Sequence, residues 1–115
     1  MTNFALNTLK DVVILCYHRV INEDITYPLY PTDGLTVSVT RFEKYITLYK
    51  KHFSFIDLKR SLIDFKHMKK GLLLTFDDGY KDILTNVLPI IEKHNIPIII
   101  FVTTSLIQNN RQFCW

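Results

Sequence analysis

Gly71-Leu72-Leu73-Leu74-Thr75-Phe76-Asp77-Asp78-Gly79-Tyr80 decides how this chain is read. Gly71 launches an apolar run from Leu72 to Phe76, the pattern of a strand covered on both faces in a parallel sheet. The run stops on two adjacent carboxylates and a glycine. A helical pattern follows from Asp82 to His94, with Ile83, Leu84, Val87, Leu88 and Ile91 at helical spacing. Pro89 falls inside that pattern and should kink the helix or restart it. Adjacent carboxylates at the end of a buried strand are costly, because each needs a partner or a shifted pKa. A metal ion together with a proton-accepting role would meet both demands. The plainer explanation is an Asp-Gly turn with a helix cap.

Working outward, Val12-Val13-Ile14-Leu15-Cys16-Tyr17 reads as a second strand buried on both faces, ended by His18-Arg19. Residues 19–36 carry Asn22, Asp24, Pro28, Pro31 and Gly34 and read as a long loop. Thr40 with Glu43 three residues later is a capping-box signature, and Phe42, Tyr45, Ile46 and Tyr49 carry the helix to about Lys51. Phe53-Ser54-Phe55-Ile56 is a short strand. Asp57 or Ser61 starts a further helix with Leu58, Leu62, Ile63 and Phe65 on one side. After Asn95-Ile96-Pro97, a third buried strand runs from Ile98 to Val102 and ends at Thr103, Thr104 and Ser105. Alternation of this kind gives a parallel sheet with helices outside it. In such folds reacting groups gather at the carboxyl ends of strands, so His18, Asp77-Asp78 and Thr103-Thr104 should share one rim.

The 115 residues, 48% of them hydrophobic, bound the chain to at most one small domain with a real core. A closed barrel of alternating strands and helices needs about 200 residues or more, so a whole one should not fit. The net charge of +3 comes from scattered clusters such as Lys50-Lys51-His52 and Lys66-His67-Met68-Lys69-Lys70. These read as solvated helix ends, and no nucleic-acid partner is expected. Cys16 and Cys114 form neither a disulfide framework nor a zinc knuckle; Cys16 is expected to be a small buried hydrophobe. Residues 1–10 lack the marks of a signal peptide, and no run reaches the roughly 18 apolar residues of a membrane helix, so a cytoplasmic protein is expected.

The string Thr75-Phe76-Asp77-Asp78-Gly79-Tyr80 resembles the first motif of the polysaccharide deacetylases, the NodB-like carbohydrate esterases. Tyr17-His18-Arg19-Val20 resembles the opening of the permuted branch of that family. The resemblance implies a partial (β/α) barrel, with residues 1–115 as the N-terminal part of the domain. It also implies metal-dependent removal of N-acetyl groups from a polysaccharide or glycan. Carried over residue by residue, Asp77 is the general base, Asp78 a ligand of a divalent metal, zinc first, and His18 the general acid. Phe42 and Pro97 fit the family's layout as scaffold.

The departure is as informative. No H-S/T-x-x-H pair follows Asp78; His94 is the one later histidine and is expected in solvent at a helix end, like His52 and His67 before the motif. One carboxylate does not make a tight zinc site. The chain is therefore expected to be weakly active or inactive alone. The competing reading is a non-catalytic module that binds a partner chain or itself through uncovered sheet edges. A metal-assisted phosphoesterase is a third, lacking a glycine loop to cradle phosphate.

Overall fold

The computed structural model describes residues 12–22, 35–61 and 70–105 of the chain. Strand β5, Gly71–Phe76, lies at the centre of a parallel sheet. Strand β1, Val13–Tyr17, runs along its whole length on one side, pairing Val13 with Leu72 and Tyr17 with Phe76. On the other side two short strands share its edge: β4, Ser54–Phe55, at the start, and β6, Ile99–Ile100, at the end. The central position explains why an unbroken apolar run is tolerated in β5, of which every residue except Leu73 is buried.

Two helices cover one face. Helix α1 spans Val39–His52 and buries Phe42 and Ile46. Helix α3 spans Leu88–His94 and buries Ile90 and Ile91. Between the first motif and α3 the chain makes a wide π-helical turn over Ile83–Val87, and Pro89 sits in the first turn of the regular helix that restarts behind it. The lost amide at Pro89 thus falls where a helix start leaves amides unpaired anyway. The wide turn keeps Ile83, Val87 and Ile91 in the core but turns Leu84 out, 64% exposed, against the expected single stripe.

The core joins Val20, Leu74, Phe76, Phe42, Ile46, Val87 and Ile91, with Tyr17 packed against it. Tyr17 meets Phe42 edge-on at 5.3 Å and stacks on Phe76 at 5.7 Å. Its hydroxyl lies 3.3 Å from that of Tyr49. Burial pushes the Tyr17 phenol far above its ordinary pKa, so it stays neutral.

Several expectations need correction. β1 is not buried on both faces: its exposure alternates, with Ile14 63% exposed and Cys16 exposed as well. The reason is topological, since among the described residues helices α1 and α3 pack on the face that carries Tyr17. The last strand is likewise an edge, reduced to two residues, and Phe101 and Val102 behind it are exposed. The start and end of the expected 19–36 loop are strands, β2, Arg19–Ile21, and β3, Thr36–Ser38, paired in parallel. The cap of α1 is Ser38, whose hydroxyl accepts from the Arg41 amide at 3.3 Å, not Thr40. Glu43 instead bonds Lys93 Nζ at 2.7 Å, tying α1 to α3. His94 is not solvated: its side chain is 17% exposed and 3.6 Å from Glu43. The expected strand at Phe53–Ile56 and the end of α1 agree with the sequence reading, and Asp57 Oδ1 caps the short helix α2, Leu58–Ser61, at the Lys59 amide. Leu62, Ile63, Phe65, His67 and Cys114 lie outside the described residues.

Candidate active site

Side chains alternate across a strand, so Leu72, Leu74 and Phe76 face the helices while Thr75 and, one step further, Asp77 face the other way. The same rule on β1 sends Tyr17 to the core and puts Cys16 and His18 on the face of Asp77. The Asp77 amide donates to the Tyr17 carbonyl at 2.9 Å, carrying the ladder one residue past β5. On the opposite edge the Phe101 amide donates to the Phe76 carbonyl at 2.8 Å. The strand end that bears the carboxylates is therefore clamped from both sides.

His18 Nε2 stands 3.9 Å from Asp77 Oδ2, both side chains half-buried. Asp78 breaks the strand with φ of +69°, and Gly79 follows at +70°. This left-handed turn re-aims the second carboxylate, and an open groove of about 410 Å³ is lined by Asp77, Asp78, Phe101, Val102 and Thr103. The three strand ends expected to share a rim do so. Thr103 also precedes a helical turn at 104–105.

A second layer holds His18 in place. Asp82 accepts from the Val20 amide at 3.2 Å and from Arg19 Nε at 3.3 Å. Asn86 Nδ2 donates to the Val20 carbonyl at 2.7 Å. The Arg19 guanidinium lies over the Tyr80 ring, 4.8 Å from its centroid. Both backbone groups of Val20 are thus held by the helix that follows the motif, two residues from His18. Burial pushes the Asp82 carboxyl above its ordinary pKa, and the Arg19 charge and the hydrogen bonds offset this only in part. The sequence reading missed Asp82 and Asn86; polar residues among the apolar positions of the expected helix were the available signal.

It also misjudged Cys16. The thiol lies beside His18 and Asp77, with the three candidate donor atoms within 4.8 Å of one another. Desolvation, with the Asp77 and Asp78 carboxylates, pushes the thiol pKa up, and a hydrogen bond with Thr75 works against it. The spacing of Cys16 and His18, two apart on a strand, was enough to place them on one face. Asp78 is not in this cluster, and among the described residues it belongs to no group of three or more histidine, cysteine or carboxylate donors. The donors present therefore do not fit a metal held at Asp78 by this chain's described residues alone.

These features define a parallel α/β fold with a His–Asp–Asp rim. Residues 65–114 match the family model described as polysaccharide deacetylase. No curated protein matches the chain. Among solved structures it is similar to a de-N-acetylase from Aggregatibacter actinomycetemcomitans (TM-score 0.67, 19% identity, 90% of this chain and 42% of that one). It is also similar to the Streptococcus pyogenes deacetylase PplD, solved in complex with acetate (TM-score 0.67, 24% identity, 84% and 44%). A third is a polysaccharide deacetylase from Bacillus cereus (TM-score 0.58, 26% identity, 71% and 24%). Over residues 65–114 the chain is similar to the polysaccharide deacetylases, and its described fold resembles part of these solved structures. It spans between 24% and 44% of the length of these solved relatives. Among the described residues no helix is long and apolar enough to cross a membrane.

Proposed function

We propose that this chain is the N-terminal part of a deacetylase domain that hydrolyses N-acetyl groups on a polysaccharide or glycan. The observation that carries the reading is the pairing of His18 and Asp77, 3.9 Å apart on adjoining strand ends, with Asp78 on the same groove. Amide hydrolysis needs a base for the attacking water and an acid for the departing amine. Asp77 takes the first role, accepting a proton from the attacking water. His18 takes the second, giving a proton to the sugar nitrogen as the C–N bond breaks. Arg19, Asp82 and Asn86 keep β2, and with it His18, against the end of β5.

Asp78 is assigned as one ligand of a divalent metal, zinc first. Such an ion supplies a water of lowered pKa and polarises the acetyl carbonyl. The remaining ligands are not among the described residues. The test is a chimaera: this chain joined to the remaining barrel of a family member that carries the histidine pair. Acetate release from an N-acetylated chito-oligomer is expected, falling by about 10²–10⁴-fold in Asp77→Asn and in His18→Gln. A folded chimaera that binds zinc but releases no acetate would overturn the assignment.

One observation favours the competing, non-catalytic reading. Ile14, Phe101 and Val102 leave apolar area open on β1 and beyond β6. Self-association through that area would show in sedimentation as a concentration-dependent dimer, and a cleanly monomeric chain removes it.

A further inference from the structure

We infer that Cys16, His18 and Asp77 form a site for a thiophilic divalent cation, separate from the metal position assigned to Asp78. The argument rests on three independent features. The donor atoms, a thiol sulfur, an imidazole nitrogen and a carboxylate oxygen, all lie within 4.8 Å of one another. Ligands around a tetrahedral zinc, at bond lengths of about 2.0–2.3 Å, stand somewhat closer than that, so ordinary side-chain rotation closes the site. All three sit on the face of the sheet opposite Tyr17 and Phe76, with Cys16 exposed and His18 and Asp77 part-exposed. Their backbones are fixed by the β1–β5 ladder and its continuation at Asp77, so the cluster is prearranged by two rigid strands rather than by a loop.

The donor set also selects the ion. One soft sulfur, one nitrogen and one oxygen suit zinc, cobalt or cadmium, and they suit magnesium or calcium poorly. A fourth position stays open to water. Binding replaces the thiol proton by the metal and takes His18 as the neutral imidazole, so each ion taken up releases the Cys16 proton, together with any proton on His18, to the buffer. The cation would engage both His18 and Asp77, and would therefore compete with their use as acid and base. The inference itself does not rest on the deacetylase reading, because its readouts are coordination and not acetate release.

Cobalt titration of the full chain tests it. The expected result is a near-ultraviolet thiolate-to-cobalt absorption band that saturates at one ion per chain, with protons released in step with it. Zinc should displace the band, and magnesium should leave it unchanged. Cys16→Ser should abolish the band, and Asp77→Asn should weaken cobalt binding by at least about tenfold. Asp78→Asn and Cys114→Ser should keep it. Zinc should also slow alkylation of Cys16 by iodoacetamide in the unaltered chain, which reads the same site without any variant. Cobalt binding without the band, a band that survives Cys16→Ser, or Cys16 alkylation that zinc leaves unchanged would each overturn the inference.

Discussion

The two faces of one sheet divide the work of this molecule, though both are built from the same two strands. On the face toward the helices, Tyr17, Leu74 and Phe76 are locked into a dense aromatic and aliphatic core. On the other, Cys16, His18 and Asp77 stand partly open with few partners. Neighbours in sequence thus differ completely in what they contribute. Stability resides on one side and the proposed site on the other, so the rim can carry costly polar groups without weakening the core.

That division can be broken by substitution. The largest loss is expected for Phe76→Ala, about 3–5 kcal/mol, because the fully buried ring touches both Tyr17 and Phe42. Urea unfolding measures it; a loss below 1 kcal/mol, roughly a surface value, would show the core to be loose. Asp82→Ala should cost about 1–3 kcal/mol, since it leaves the buried Val20 amide without its side-chain acceptor.

Its pH dependence has a definite sign. The folded Asp82 carboxyl binds its proton more tightly than the ordinary value of 3.8. Between that value and its raised folded value the native state holds more protons than the unfolded one, so this group's contribution falls as pH rises through the window. Denaturant midpoints across the acid range should show that slope in the parent chain and not in Asp82→Asn.

Gly79→Ala should cost about 1–2 kcal/mol, because the backbone there has φ of +70° and an added Cβ would meet Val102 Cγ1 at 3.1 Å. Glu43→Gln should cost roughly 1 kcal/mol or less, as befits an exposed pair, and less still in high salt. Lys93 holds the Glu43 carboxyl below the ordinary value of 4.5, so that small term is present above 4.5 and is lost as pH falls through the lowered value. Cys16→Ser should change stability by less than about 0.5 kcal/mol. That near-zero is the sharpest probe of the comparison, because a buried cysteine of the kind expected from sequence would not behave so.

Much of this arrangement was legible beforehand. Strand polarity alone placed His18 and Asp77 on a common rim, and Pro89 announced the restart of the helix. The failures share a cause. An apolar run reports that a segment can be buried, and says nothing of which neighbours will cover it. β5, flanked on both sides, met the expectation, whereas β1 and β6 did not. The cap of α1 moved from Thr40 to Ser38 because Ser38 ends β3, so the β2–β3 pairing decides where the helix starts. His94 was drawn inward because Lys93 and Lys50 anchor the end of α3 to α1 through Glu43 and the His94 carbonyl. Such long-range ties leave no local pattern.

The left-handed backbone at Asp78 narrows what evolution could place beside the groove. Glycine, asparagine and aspartate tolerate that torsion, whereas most other residues pay a steric penalty there. Lengthening the acid by one methylene to glutamate would therefore meet resistance from the main chain before any ligand was consulted. A descendant lineage released from selection on this position should drift toward asparagine or glycine, with the turn outlasting the carboxylate it presents.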